Sequence, residues 1–298
     1  MADKPTVCIV GSMNMDLTVT TDKVPQQGET VLGNEFFANP GGKGANQATA
    51  AARMGADVHF IGAVGDDAFG QTLLANMTKE QIRTEGIDTI TGISTGTATI
   101  ILSEQDNRII VAPGANNHVT PQLASSHHNL IAGSDIVLLQ LEVPLETIVS
   151  VVETASASEV PVILNPAPYQ PLPEKVLKGC AWLTPNELEA AAFAEDPLYE
   201  TTQERLIVTQ GARGASFTEN GRERHVTGYD MTVEDTTGAG DTFNGALAAE
   251  LAKGAAPGDA IQTANAAAAL SVTKVGAQSG MPVKQEVEAF LQERKASE

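Results

Sequence analysis

The stretch Asp235-Thr-Thr-Gly-Ala-Gly-Asp-Thr-Phe-Asn-Gly245 decides how this chain is read. Its glycine-rich turn, Thr237–Gly240, feeds a segment rich in Ala and Leu. That pattern predicts a helix whose first backbone N–H groups have no intrahelical partner. Such groups sit at the positive end of the helix and suit the charge on a phosphoryl group in transfer. Asp241 falls in the first helical turn beside them. A carboxylate there can take the proton of an attacking hydroxyl, as the base in phosphoryl transfer does. An Asp that simply stabilises a helix N-terminus is the competing reading; the length of the string favours function. The string is not a P-loop, because no Lys-Ser/Thr follows the glycines, and it lacks the dinucleotide-binding spacing.

Outward from this turn, Ala239–Lys253, Pro257–Thr273 and Val283–Arg294 read as helices. At the other end, Thr6–Val10 is a short apolar run ending in Gly11-Ser12, as a buried parallel strand does. Ala45–Met54 is an Ala-rich helix stopped by Gly55. His59–Val64 reads as strand and Asp67–Met77 as helix. Ile136–Leu141, Val160–Leu164, Ala181–Thr184 and Leu206–Thr209 extend the sheet, with helical stretches between them. That alternation predicts a parallel sheet with right-handed crossovers. Thr97–Leu102 and Arg108–Ala112 flank the polar turn Ser103–Asn107 and read as a hairpin. With Leu17–Thr20 and Thr30–Ala38 they predict a second, smaller sheet. The expected architecture is one doubly wound α/β domain over residues 1–298, with a small β-sheet lid drawn from about 14–40 and 97–113.

The chain has 298 residues, 42% of them hydrophobic, enough for one large domain with a well-buried core or for two modest domains. A net charge of -19 opposes binding to nucleic acid or an anionic membrane. It opposes ATP too, unless backbone N–H groups and a few placed cations collect locally. Cys8 and Cys180 lie in apolar surroundings and read as small buried residues. The N-terminus leads straight into a strand without a signal-like segment, and no apolar stretch is long enough to span a bilayer. Cytoplasm is the expected compartment. The five His residues show no metal-ligand spacing.

Four further clusters carry chemistry. Pro40-Gly-Gly-Lys-Gly-Ala-Asn-Gln47 lets the backbone approach a ligand closely, and Lys43 and Asn46 supply donors for hydroxyls. A flexible turn into the helix is the alternative. Asn14 and Asp16 lie just past the first strand's C-terminal end, where open α/β sheets bind ligands. They suit neighbouring hydroxyls; an ordinary Asx turn is the alternative. Glu142 follows the strand Ile136–Leu141 and either joins that polyol site or is a solvated loop carboxylate. Thr209-Gln-Gly-Ala-Arg-Gly214 fits a turn over phosphate or ribose, with Arg213 as a cation, or is only a turn. Asn186 and Glu189 at a helix start suit a water shell around Mg²⁺, or a helix cap.

These motifs resemble the ribokinase type of PfkB carbohydrate kinases along nearly the whole chain. The carrying segments are G-S-M-N-M-D at 11–16, P-G-G-K-G-A-N-Q-A at 40–48, P-G-A-N at 113–116 and L-N-P-A-P at 164–168. T-P-N-E-x-E at 184–189, D-T-T-G-A-G-D-T-F-N-G-A at 235–246 and K-V-G-A-Q at 274–278 complete the set. The resemblance implies phosphorylation of D-ribose at O5 by ATP, with Asp241 as base and Gly238, Ala239 and Gly240 as anion hole. It implies a sugar site of Asn14, Met15 and Asp16, of Gly42, Lys43, Gly44, Ala45 and Asn46, and of Glu142 with Asp241. It implies nucleotide contacts from Asn186, Thr209, Gln210, Gly211, Ala212, Arg213, Gly214, Gly240, Asp241 and Asn265, with Glu189 tied to Mg²⁺ through water. An activating monovalent cation, usually K⁺, is implied at Asp235, Thr237, Ser271, Lys274, Gly276 and Gly280, where Gly280 replaces a frequent Ser. A lid over the sugar and a homodimer formed through it are also implied. The chain departs from the pattern between Glu189 and Leu206, where a full crossover helix and a further strand are usual and the segment is short. Two other readings stand beside this one: a sugar or nucleoside kinase of the same fold, and a catalytically silent binding protein.

Overall fold

The computed structural model describes residues 4–103 and 106–297. Its strands begin with β1 (Thr6–Val10), β2 (Asn14–Thr20), β3 (Glu35–Gly41), β4 (Asp57–Gly65), β5 (Arg83–Ile90), β6 (Gly96–Ser103) and β7 (Asp106–Ala112). They continue with β8 (Ile136–Leu139), β9 (Val162–Leu164), β10 (Trp182–Leu183), β11 (Ile207–Thr209), β12 (Gly214–Glu219) and β13 (Arg222–Thr227). The central sheet is parallel, in the order β10-β9-β8-β1-β4-β5. This is the expected doubly wound α/β class.

Both faces of the central sheet are buried, which is why its strands read as unbroken apolar runs. In β1, Val7 and Ile9 face one core while Cys8 and Val10 face the other. In β8, Ile136 and Leu138 take the first side and Val137 and Leu139 the second. The first layer holds the helices Lys43–Arg53, Ala239–Ala252 and Pro257–Ser271; the second holds Pro121–Ser126, Leu145–Ala157 and Glu174–Gly179. Cys8 and Cys180 are buried free thiols, both pushed up to about 12 by burial.

The second sheet has the order β3-β2-β6-β7. β3 starts at Glu35, so the expected extended stretch Thr30–Ala38 is strand only in its later part. Glu104 and Gln105, within the expected turn Ser103–Asn107, lie outside the described residues.

One expectation is corrected. Leu206–Thr209 was placed in the large parallel sheet, but β11 pairs antiparallel with β12, and β12 with β13, in a separate three-stranded sheet. Among the described residues, two isolated parallel backbone bridges link it toward the main sheet, Leu183 to Leu206 and Asn186 to Thr209, and Ile207, Ala215 and Phe217 pack into the core on one face of that sheet. The polar alternation of Arg222–Thr227 carries too few apolar residues to announce a strand. The short segment before β11 holds one helix, Glu187–Phe193, and two 3₁₀ turns. Phe193 packs on Tyr199 at 5.5 Å and on Tyr169 at 6.3 Å between ring centres. The Arg205 guanidinium donates to the carbonyls of Leu177, Cys180 and Thr201. Aromatic packing and one guanidinium thus close the shortened connection.

Candidate active site

The helices Lys43–Arg53 and Ala239–Ala252 approach each other at a glycine. A Cβ on Gly245 would lie 2.4 Å from the Gln47 carbonyl and 2.6 Å from the Ala50 methyl. Asp241, one turn earlier, is thereby brought against the start of the other helix. Its Oδ2 accepts from Asn46 Nδ2 and its Oδ1 from Gln47 Nε2, each at 3.0 Å. The carboxylate is buried. Gly238 begins this helix with φ of 79°, a left-handed conformation that suits glycine. The Ala239 N–H closes the turn onto the Thr236 carbonyl at 3.2 Å. The N–H groups of Gly240 and Asp241 follow in the first turn, where no helical carbonyl lies four residues back. A Cβ built on Gly240 meets no atom within 4 Å, so the space over this turn is open.

The polyol candidates converge on the same place. Asp16 is raised to about 7, first by burial and then by the charges of Glu142 and Asp241. Gly41 makes room for it, since a Cβ there would lie 2.1 Å from Asp16 Oδ2. Burial alone would lower the Lys43 ammonium, but the carboxylates of Asp241, Glu142 and Glu189 outweigh it and raise the pKa. Glu142 accepts from the Ser12 hydroxyl at 2.5 Å and from the Lys43 N–H at 3.1 Å, which anchors the helix start to the loop after β1. Gly42, at φ of 88°, has its missing Cβ 2.7 Å from the Asn14 N. Gly44 packs as closely on the Ser12 N, at 2.6 Å. Ala45 and Met15 are buried beside them. Asn14 Oδ1 accepts from Asn116 Nδ2 at 2.7 Å.

The nucleotide candidates form a second group. Gly211–Arg213 is a 3₁₀ turn closed by Gln210 N–H to the Gly214 carbonyl at 2.8 Å, directly after Thr209 ends β11. Asn265 Nδ2 donates to the Val226 carbonyl at 3.0 Å, the same oxygen that a Cβ on Gly214 would meet at 2.1 Å. Arg213 pairs with Glu187, and both side chains stay mostly exposed. Asn186 and Glu189 make a reciprocal capping box at 2.8 Å in each direction. Burial raises the Glu189 carboxyl, against the Asn186 N–H and the Lys43 charge. Among the described residues no cluster of three His, Cys, Asp or Glu could hold a metal ion.

The six cation candidates also assemble. Asp235 accepts from the N–H groups of Thr237 and Gly276, each at 2.8 Å. Burial disfavours its charge, but these hydrogen bonds prevail and hold the carboxyl below the usual range. A Cβ on Gly280 would lie 2.4 Å from the Ser271 carbonyl and 3.3 Å from that of Lys274, so glycine lets these oxygens draw together. An ionised carboxylate beside converging carbonyls fits a monovalent cation. Gly238 rests on Ala277, in the same segment.

Several buried side chains of this region were not singled out by their positions: Gln47, Asn116, Asn165, Thr184, Asn244 and Gln278. Each belongs to a quoted motif, but a single amide inside a motif does not say what it will meet.

A doubly wound sheet carrying a buried carboxylate at a glycine-rich helix start defines a kinase of small hydroxylated substrates. The profile of the pfkB family carbohydrate kinases matches residues 4–284, and the chain belongs to that family. It is similar to the ribokinase of Bacillus subtilis, 44% identical over 96% of this chain and 99% of that protein. Among solved structures it resembles the ribokinase of Thermotoga maritima, with a TM-score of 0.88 at 36% identity, covering 97% of this chain and 99% of that one. It also resembles Arabidopsis thaliana ribokinase complexed with ribose and ATP, with a TM-score of 0.89 at 29% identity, again over 97% and 99%.

Proposed function

We propose that this carbohydrate kinase transfers the γ-phosphoryl group of ATP to O5 of D-ribose. The observation that carries the reading is the buried Asp241 carboxylate, held by Asn46 and Gln47, beside the open face of Gly240. In this reading Asn14, Asp16, Lys43, Asn46 and Glu142 hold the sugar and Asp241 takes the O5 proton. The N–H groups of Gly238 and Gly240 face the transferring phosphoryl group, while the Ala239 N–H holds the turn closed on the Thr236 carbonyl. The Thr209–Gly214 turn, Asn186 and Asn265 hold the nucleotide. The relatives named as ribokinases and the ribose–ATP complex support the choice of ribose and ATP as substrates. Glu189, a half-buried carboxyl whose charged form is disfavoured by burial, suits a hydrated Mg²⁺. A monovalent cation at Asp235, Ser271, Lys274 and Gly280 would supply positive charge behind the anion-binding turn.

The four-stranded sheet acts as a lid and carries the proposed homodimer contact. Phe36, Phe37, Ile109 and Ile110 are exposed on it, an apolar surface that a second copy would cover. No helix among the described residues is long and apolar enough to cross a membrane. Cytoplasm, where free thiols persist, remains the proposed compartment.

The direct test is ADP release from Mg-ATP with and without D-ribose, in K⁺ and then Na⁺ buffer. Ribose-dependent release that rises with K⁺ is expected. Faster turnover of 2-deoxyribose would overturn the choice of sugar, and no release from folded protein would favour the binding-protein reading.

Gly240→Ala tests the turn. The added methyl meets nothing in the protein, and alanine favours a helix by about 1 kcal/mol. The melting temperature is expected to hold or rise while kcat falls by about 10-fold or more, because the methyl fills the space over the turn and crowds the phosphoryl group off its N–H groups, and one lost anion contact costs roughly 10²–10³. An unchanged kcat would place phosphoryl transfer elsewhere.

A further inference from the structure

Behind Asp241 lies a set of buried polar groups that phosphoryl transfer does not itself require. Gln47 is fully buried. Its Nε2 donates both to Asp241 Oδ1 at 3.0 Å and to Asn165 Oδ1 at 3.1 Å. Its Oε1 accepts from Gln140 Nε2 at 2.6 Å. Asn165 Nδ2 donates to the Thr184 carbonyl at 3.0 Å. The Thr184 hydroxyl donates to Asn244 Oδ1 at 2.5 Å, and Asn244 Nδ2 to the Gly240 carbonyl at 2.9 Å. The circuit therefore starts at the base and returns to the residue before it.

The direction of each amide follows from this circuit. The Thr184 carbonyl can only accept, so Asn165 must turn its NH₂ toward it and its oxygen toward Gln47. Gln47 must then present its own NH₂ to Asn165, and the same NH₂ reaches Asp241. Gln140 closes the other end by donating to the Gln47 oxygen. That service has a cost. Gln140 is fully buried and its Oε1 has no hydrogen-bond partner. The oxygen is wedged over Gly11, where a Cβ would lie 2.1 Å away. A buried unpaired amide oxygen is destabilising, and an apolar side chain of the same shape would avoid it. An amide at position 140 is explained by what it does to Gln47.

We propose that Gln47 is a positioning residue for phosphoryl transfer: oriented by Gln140 and Asn165, it holds the Asp241 carboxylate in the one rotamer aimed at the sugar hydroxyl. The proposal rests on the reading of Asp241 as the base. Asn46, which takes the other carboxylate oxygen, is itself oriented by Gln278 Nε2 at 3.0 Å. The carboxylate is thus fixed from both sides, with Asn46 on Oδ2 and Gln47 on Oδ1. A displaced base costs rate without costing sugar affinity, because near-attack geometry lives in kcat.

The test is steady-state kinetics on Gln47→Met and Gln140→Met, with Asp241→Asn in parallel and melting temperatures for all three. Gln47→Met is expected to lower kcat by about 10-fold or more while the ribose KM stays within about 2-fold, the pattern of lost positioning. Gln140→Met is expected to lower kcat by a smaller factor at unchanged melting temperature. It removes one unpaired oxygen, on Gln140, and creates another, on Gln47. Undiminished kcat in folded Gln47→Met, or a KM that rises as far as kcat falls, would overturn the proposal. If Gln47→Met does not fold, Gln140→Met decides: a full kcat there overturns it. Should Asp241→Asn keep the wild-type rate, the base assignment fails and this proposal with it. Should Asp241→Asn lose its rate while folded Gln47→Met keeps its own, only the positioning role fails.

Discussion

Asp241→Asn is expected to lower kcat by roughly 10²–10⁴-fold, the range that a general base contributes, while ribose still binds. The reason is local. Both carboxylate oxygens accept from amide NH₂ groups, one from Asn46 and one from Gln47. An asparagine at 241 must turn its own NH₂ toward one of these donors. Neither neighbour can reverse freely, because Gln278 donates to the Asn46 oxygen and Gln140 to the Gln47 oxygen. The variant therefore carries a donor–donor conflict worth about 1–3 kcal/mol of stability, and its melting temperature should fall modestly. Calorimetric titration with ribose separates the effects: binding within a few-fold of wild type, with turnover nearly gone, is the kinase outcome. A variant that keeps its turnover would show that another group takes the proton. A protein whose ribose binding never led to ADP release, in either form, would be a binding module.

The second large effect is expected at Asp16. Replacing it with Asn should raise the ribose KM by roughly 10²-fold, since hydrogen bonds to a charged group contribute about 1.5–3 kcal/mol each and the carboxylate faces neighbouring hydroxyls. Its pKa is raised to about 7 by burial first, then by Glu142 and Asp241. Two pH dependences follow. Ribose affinity should weaken as pH falls below about 7, because the protonated acid is a poorer acceptor. Stability runs the other way. Between the ordinary carboxyl value near 3.8 and about 7, the folded state binds more protons at Asp16 than the unfolded state does. Its contribution is therefore fully present below the unfolded value and lost as pH rises to about 7. Asp16→Asn should raise the melting temperature most above pH 7 and hardly at all near pH 4. Melting curves at both pH values check this; an equal gain at pH 4 would mean that ionisation of Asp16 is not what burial opposes.

Much of the fold was legible beforehand because burial leaves a periodic trace. Thr6–Val10 reads as a strand buried on both faces, and β1 spans those residues. Ala45–Met54 reads as a helix ended by Gly55, and the helix runs Lys43–Arg53. β11 was misplaced for a physical reason: Ile207–Thr209 is as apolar as a central strand, and periodicity does not say which neighbour it pairs with. β5 was missed because Gly86 and the charges around it interrupt any clean alternation. In the site, the residue types named the chemistry. Carboxylates at 16, 142 and 241, a lysine at 43 and a glycine turn before 241 are what a hydroxyl and a phosphate ask for.

What the sequence determined alone is therefore the alternation of the central strands and helices other than β5, the sign of the surface charge and the chemical groups on offer. The tertiary structure alone decided which groups meet. Gln47 reaches Asp241 across 194 residues because Gly245 lets two helices touch. Arg213 spends its charge on Glu187, and Asn186 and Glu189 close a capping box on each other. Hydrogen bonding is directional over about 3 Å. Side-chain burial is recorded along the chain as a period, but the direction of a buried amide is set only by its neighbours in space.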